Sequence, residues 1–143
     1  MDPKRYIGLI LLAVAIAAAL TLDWIGRDQS PRTYTVGFER GTALTVAGER
    51  TVDRIAATMD RQPAYRAVLI GHTGTRGEAE ANHALGERRA RAVRDALQAS
   101  GIAAERITTH SVGGSEPLER RANDTDRAYR DRLRRTEARL QLQ

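Results

Sequence analysis

The chain has 143 residues, no cysteine, a single Phe, a single Trp and a net charge of +5 at pH 7, with arginine its main cation. That length holds one modest domain and an appendage, and the lack of cysteine excludes disulfides, thiolate metal sites, a cysteine nucleophile and a lipid-modified N-terminal cysteine. A basic balance suits nucleic acid, anionic lipid or acidic cell-wall polymer, but with few aromatics and no basic run interleaved with them, nucleic-acid binding is set aside.

Residues 1–26 read MDPKRYIGLILLAVAIAAALTLDWIG, with no charge from Tyr6 to Leu22. Continued to Ile25, the run reaches the roughly 20 residues that span a bilayer core. Residues 6–25 are therefore expected to be a transmembrane helix. Lys4 and Arg5 place residues 1–5 in the cytoplasm by the positive-inside rule, and Tyr6 and Trp24 suit the two interfaces. This predicts a single-pass protein of a bacterial inner membrane with its C-terminal domain in the periplasm. The competing reading is a cleaved signal peptide, for which Ala17 and Ala19 offer a small-x-small site. No acid sits in mid-span, so this helix alone is not expected to conduct protons. Residues 26–33, GRDQSPRT, read as a short linker.

Tyr34–Phe38 alternates apolar with small or polar residues and predicts a strand. Residues 47–61 place Val52, Ile55, Ala56 and Met59 on one helical face, and Gln62-Pro63 ends that helix. Residues 65–70, YRAVLI, form a second strand whose apolar end predicts a central position. A glycine-punctuated loop follows, and then a helix from about Asn82 to Ser100, with Leu85, Ala92, Val93, Ala96 and Leu97 toward the core. Ser100-Gly101 is a helix stop. Residues 106–112 read as a third strand and 113–117 as a turn. The charge-rich stretch 118–135 is left open between helix and loop, and TEARLQL alternates like a closing strand. Strands alternating with helices imply an α+β layered sheet.

Little here points to catalysis. His72, His83 and His110 lack metal-ligand spacing, and neither HExxH nor a nucleophile elbow is present. No enzyme activity, metal or cofactor is expected. Gly71, Gly74 and Gly77 do not have the spacing of a nucleotide loop, but they lie between the C-terminal end of a strand and a helix N-terminus, where α/β folds collect ligands. On the helix, Arg88, Arg91 and Arg94 share a solvated side. Arg89 points elsewhere, toward the apolar stripe, where a guanidinium is usually paired or ligand-bound.

The segment from Gly71 to Val93 fits GHTG-x-x-G-x4-N-x2-L-x3-R-A-x2-V. It resembles the C-terminal OmpA-like domain, the peptidoglycan-associated domain also found in flagellar motor protein B and in Pal lipoproteins. There the pattern is GHTD-x-x-G-x4-N-x2-LS-x2-RA-x2-V. Tyr34–Leu44 looks like that family's first strand and turn, Gly101-Ile102 with Arg106 like the segment before its third strand, and Arg130-x-x-Leu133-Arg134-Arg135-x-Glu137 like its closing R-x-x-NRR-x-E motif. The likeness covers about residues 34–142, and residues 34–143 form the implied domain.

The resemblance implies a βαβαβ-β two-layer sandwich that holds the diaminopimelate of the peptidoglycan stem peptide. In the family the Asp of GHTD takes the amine and the Arg of RA takes the carboxylate. By position, Arg89 is the carboxylate partner, and Thr73 and Asn82 are polar supports. Arg130, Arg134 and Arg135 come from the closing motif. The acid's place is Gly74, Ser of LS is Gly86 and Asn of NRR is Leu133. Glu78 and Glu80 are the acids of the same loop. Two functions follow. One is a membrane-held tether that binds peptidoglycan without covalent attachment. The other is an accessory or scaffolding subunit of a larger membrane complex in which Gly74 marks lost peptidoglycan binding. Ala15, Ala18 and Ala19 would let its helix approach others closely.

Overall fold

The structure, a computed structural model, describes residues 31–142. The expected membrane helix lies outside the described residues. Among the described residues no helix is long and apolar enough to cross a membrane.

The first strand, β1 (Arg32–Gly37), alternates as read, with Val36 buried and Thr35 exposed. It starts two residues earlier than the alternation at Tyr34, because Arg32 and Thr33 also pair, with Leu140 and Arg139. Phe38 falls outside it and bridges to Leu44 across a tight loop. Helix α1 (Val46–Arg61) is capped by Thr45, whose hydroxyl accepts from the Gly48 N–H at 2.9 Å and so satisfies a donor that the helix leaves orphaned. Val52, Ile55, Ala56 and Met59 are buried, as their spacing predicts. At the other end Arg106 donates to the carbonyls of Met59 (2.8 Å), Gln62 (3.2 Å) and Tyr65 (2.9 Å). A guanidinium is thereby placed against the negative end of the helix dipole.

The remaining elements are β2 (Tyr65–His72), α2 (Ala79–Ala99), β3 (Ile107–Gly113), α3 (Asp126–Leu133) and β4 (Arg135–Leu142). The four strands form one mixed sheet in the order β1-β4-β2-β3. β2 runs parallel to β3, while β4 is antiparallel to both β1 and β2. The central place expected for β2 is observed. Tyr65, Ala67 and Leu69 face the helices and are buried, whereas Arg66, Val68 and Ile70 alternate onto the other face and are half-buried. Helices α1 and α2 pack on the sheet and touch each other. The core between the layers is built from Val36, Ile55, Met59, Leu69, Val93 and Leu97, all of them fully buried. Each such side chain contributes about 1.5–3 kcal/mol through removal from water.

Helix α2 begins at Ala79, earlier than the Asn82 expected. Ala90, Val93 and Leu97 are buried, and Ala92 and Ala96 pack at the core's margin. Leu85 differs from expectation. It is half-buried and faces a cleft, because it lies beyond the end of the sheet, in the first turns of a helix that overhangs β2. Two glycines set how closely the helix crosses the strand. A Cβ on Gly71 would lie 1.8 Å from the Gly86 carbonyl oxygen, and one on Gly86 would lie 2.3 Å from Ser111 Oγ. The helix ends as its sequence foretold, with Gly101 at φ +90 and Ile102 N–H returning to the Leu97 carbonyl at 3.1 Å. Ile102 itself is buried. The open question over residues 118–135 resolves as a loop followed by α3. Thr125 caps that helix by accepting from the Ala128 N–H at 3.1 Å.

Candidate functional site

A cleft of about 460 Å³ lies at the C-terminal end of β2, where the sequence pattern predicts a ligand. Its first wall is the loop that leaves the strand. Thr73 is 2 % exposed, its N–H is tied to the Gly113 carbonyl at 2.8 Å, and its hydroxyl donates to the Gly74 carbonyl at 3.2 Å. Asn82 reaches back from α2, and its Nδ2 donates to the Arg76 carbonyl at 3.0 Å. Thr73 and Asn82 therefore shape the loop that borders the cleft.

Arg89 forms the floor and is 2 % exposed. Its Nε donates to the Gly41 carbonyl and its Nη1 to the His72 carbonyl, both at 2.9 Å, and its guanidinium carbon lies 5.4 Å from the Phe38 ring centroid. Two nitrogens thus pin the β1–α1 loop to the end of β2. Nη2 makes no hydrogen bond among the described residues. Burial, followed by the charge of Arg134, lowers the Arg89 pKa to about 10, so the group is still a cation at neutral pH. A fixed, desolvated guanidinium with an open donor suits a carboxylate.

The second wall comes from α3 and the loop before it, residues that the sequence did not single out apart from Arg130, Leu133 and Arg134. Arg120 lies 4.8 Å from the Tyr129 ring centroid and donates to Asp126 at 2.7 Å. Tyr129 is itself fixed by donating to the Leu118 carbonyl at 2.8 Å. The hydrogen bond from Arg120 and the charges of Arg120, Arg130 and Arg76 hold the Asp126 carboxyl below its usual range. Arg134 donates to the Glu39 carbonyl at 3.0 Å and pairs with Asp131. Leu133, in the place of the family's Asn, is buried and gives this wall an apolar patch. Thr125 was the available signal for this wall, as a capping residue before a charged helix.

The predicted site residues do not all meet. Thr73, Gly74, Asn82, Arg89, Arg130 and Arg134 line the cleft together. Glu78 does not line it and stands exposed as the residue that precedes α2. Glu80 borders a separate depression beside β3. Arg135 is turned away because it opens β4, where successive side chains alternate between faces. It is 4 % exposed and donates to Glu137 at 2.9 Å on the sheet face opposite α1 and α2. Arg139 joins the same carboxylate at 3.0 Å, and His72 Nε2 lies 3.5 Å from it. Gly74 has nothing within 4 Å of where its Cβ would stand.

Fold and site together define an α+β domain whose strand-end cleft is lined by guanidinium groups. The OmpA family model matches residues 38–131, about two thirds of the chain, and the chain belongs to that family. It is 39% identical over 77 residues to the peptidoglycan-associated lipoprotein of Agrobacterium fabrum, a stretch that covers 54% of this chain and 44% of that one. The chain thus spans about half the length of the curated relatives it matches. The crystal structure of the peptidoglycan-associated lipoprotein from Burkholderia pseudomallei is similar with a TM-score of 0.66 and 28% identity, covering 75% of this chain and 89% of that one. The C-terminal domain of Helicobacter pylori MotB is similar in fold, with a TM-score of 0.65 at 21% identity and coverage of 77% and 85%.

Proposed function

We propose that this chain is a single-span inner-membrane protein whose periplasmic OmpA-like domain tethers the membrane, or a complex within it, to peptidoglycan by non-covalent binding. The observation that carries this reading is Arg89, a buried guanidinium held by two carbonyls with Nη2 uncommitted, at the floor of a cleft large enough for an amino-acid side chain. Its ligand is the stem-peptide carboxylate of diaminopimelate, and Thr73 and Asn82 keep the loop in place around it. Family membership and relatives named peptidoglycan-associated support the ligand class. No step of chemistry is catalysed. Residues 6–25 serve as the anchor, with residues 1–5 cytoplasmic and residues 26–33 as the spacer.

The test is co-sedimentation of the full chain, in mild detergent, with purified peptidoglycan sacculi. The native chain should pellet with them. Arg130→Ala, at an exposed position on the cleft wall, should pellet less while melting at the native temperature. A native chain that stays in the supernatant overturns the reading.

Gly74 favours a second reading, an accessory subunit whose domain no longer grips peptidoglycan and contacts protein. The expected outcome would then be a stoichiometric membrane partner after detergent extraction, together with no sedimentation. A chain that purifies alone counts against it.

A further inference from the structure

Gly74 is not there for the backbone. Its φ lies outside the left-handed region, and a Cβ would project into open space. Any L-residue fits at that point of the cleft wall, so the lack of an acid there is a property of the site and not a demand of the fold.

The charges around it point the same way. Arg76, Arg89, Arg120, Arg130 and Arg134 line the cleft, and Asp126 is the one carboxylate that does so. Asp126 is engaged by Arg120 at 2.7 Å, and Arg134 is engaged by Asp131. Arg76 and Arg130 have no side-chain ion pair or hydrogen bond among the described residues, and Arg89 has Nη2 free. Arg76 and Arg130 act on Asp126 only through its charge and without direct contact, so five guanidinium groups face a single cleft carboxylate that is already bonded to Arg120. An ammonium entering this cleft would leave its water for a cationic surrounding, which is unfavourable at any plausible local dielectric. A carboxylate would be drawn in.

The geometry points to a cleft that takes a carboxylate whose neighbouring amine is acylated. Its ligand is the cross-linked form of the stem peptide, in which the diaminopimelate side-chain amine is part of an amide, and not the free zwitterion. This rests on the peptidoglycan reading above. An amide carries no charge to repel, and the room at Gly74 is where its acyl chain leaves the cleft. The site so described reads cross-linked wall and is indifferent to newly added, uncross-linked stems.

Calorimetric titration of the full chain in detergent tests this with three synthetic tripeptides. One ends in diaminopimelate with a free side-chain amine, one carries that amine N-acetylated, and one is N-acetylated with the adjacent carboxylate converted to carboxamide. The acetylated peptide should bind several-fold or more tighter than the free amine, and the carboxamide should not bind. Gly74→Asp should invert the order and strengthen the free-amine peptide roughly ten- to hundredfold, the range of a charge-assisted hydrogen bond. A native chain that binds the free amine as tightly as the acetylated form, or tighter, overturns the inference and leaves the peptidoglycan reading standing. Loss of free-amine binding in Asp126→Asn also overturns it, by showing that Asp126 is the ammonium partner. If neither peptide nor sacculi bind, the peptidoglycan reading falls and takes the inference with it.

Discussion

Gly71 and Gly74 stand three positions apart and serve opposite ends. At Gly71 the backbone of α2 comes so close that a methyl group would lie 1.8 Å from the Gly86 carbonyl oxygen. Gly71→Ala therefore forces the helix off the strand and should lower the melting temperature sharply, in the range of severe overpacking, about 3 kcal/mol or more. Thermal melts of the two variants should separate them, since Gly74→Asp should melt like the native chain. In the sequence both glycines read alike, as residues of a loop that turns tightly. The close approach at Gly71 depends on Gly86, fifteen residues on, and no local pattern reports it. Arg89 was legible as an arginine beside the apolar stripe. That it also holds the β1–α1 loop was not, because Gly41 is 48 positions away. Arg89→Ala leaves two carbonyls without donors and should cost about 1–3 kcal/mol of stability, measured by denaturant unfolding, in addition to any loss of binding.

At the scale of elements, the sequence placed β1, α1, β2, α2, β3 and β4; α1, α2, β2 and β4 have a buried face with its own repeat, whereas in β3 only Ile107 and Gly113 are buried. It did not place α3. That helix is short and charged apart from Ala128, Tyr129 and Leu133, so its signal is the Thr125 cap and not a stripe. Nor did it separate Arg134 from Arg135. The two are neighbours in sequence, but Arg134 ends α3 and faces the cleft while Arg135 starts β4 and joins Glu137 on the far face of the sheet. Strands β2 and β4 there bring together His72 and Arg135, both buried, with the half-buried Glu137 and the exposed Arg139. Burial, with the Arg135 guanidinium adding to it, pushes the His72 imidazole below its ordinary 6.5, against the opposing charges of Glu137 and Glu116. For Glu137, burial acts upward, but hydrogen bonds from Arg135 and Arg139 and the His72 and Arg135 charges outweigh it, so its carboxyl titrates low. Both folded pKa values lie below the unfolded ones. The stabilisation from His72 is complete above about pH 6.5 and is lost as pH falls through its folded value; that from Glu137 is lost at lower pH. Urea midpoints should fall between about pH 7.5 and pH 5. His72→Phe should remove the portion of that fall that belongs to the imidazole.

For the whole molecule, strand order is the property least visible in the sequence. Pairing between distant strands depends on which faces find each other, and a strand's own residues do not encode its neighbour. β4 occupies an interior place, with β1 on one side and β2 on the other. β1 has no other partner among the described strands. A ribosome releases residues 32–134 before β4 exists, and until then β1 has no neighbour to pair with and β2 lacks one of its two. The sheet closes only when β4 slides into the gap, so all pairing of β1 and one edge of β2 wait until β4 has been made. A nascent chain stalled before Arg135 should be cleaved by protease throughout β1 and β2, whereas one released after Leu142 should resist. The eight residues of β4 thus decide whether the sheet is left split or is closed, and mutations that weaken β4 should lower the yield of folded protein as well as the stability of the finished domain.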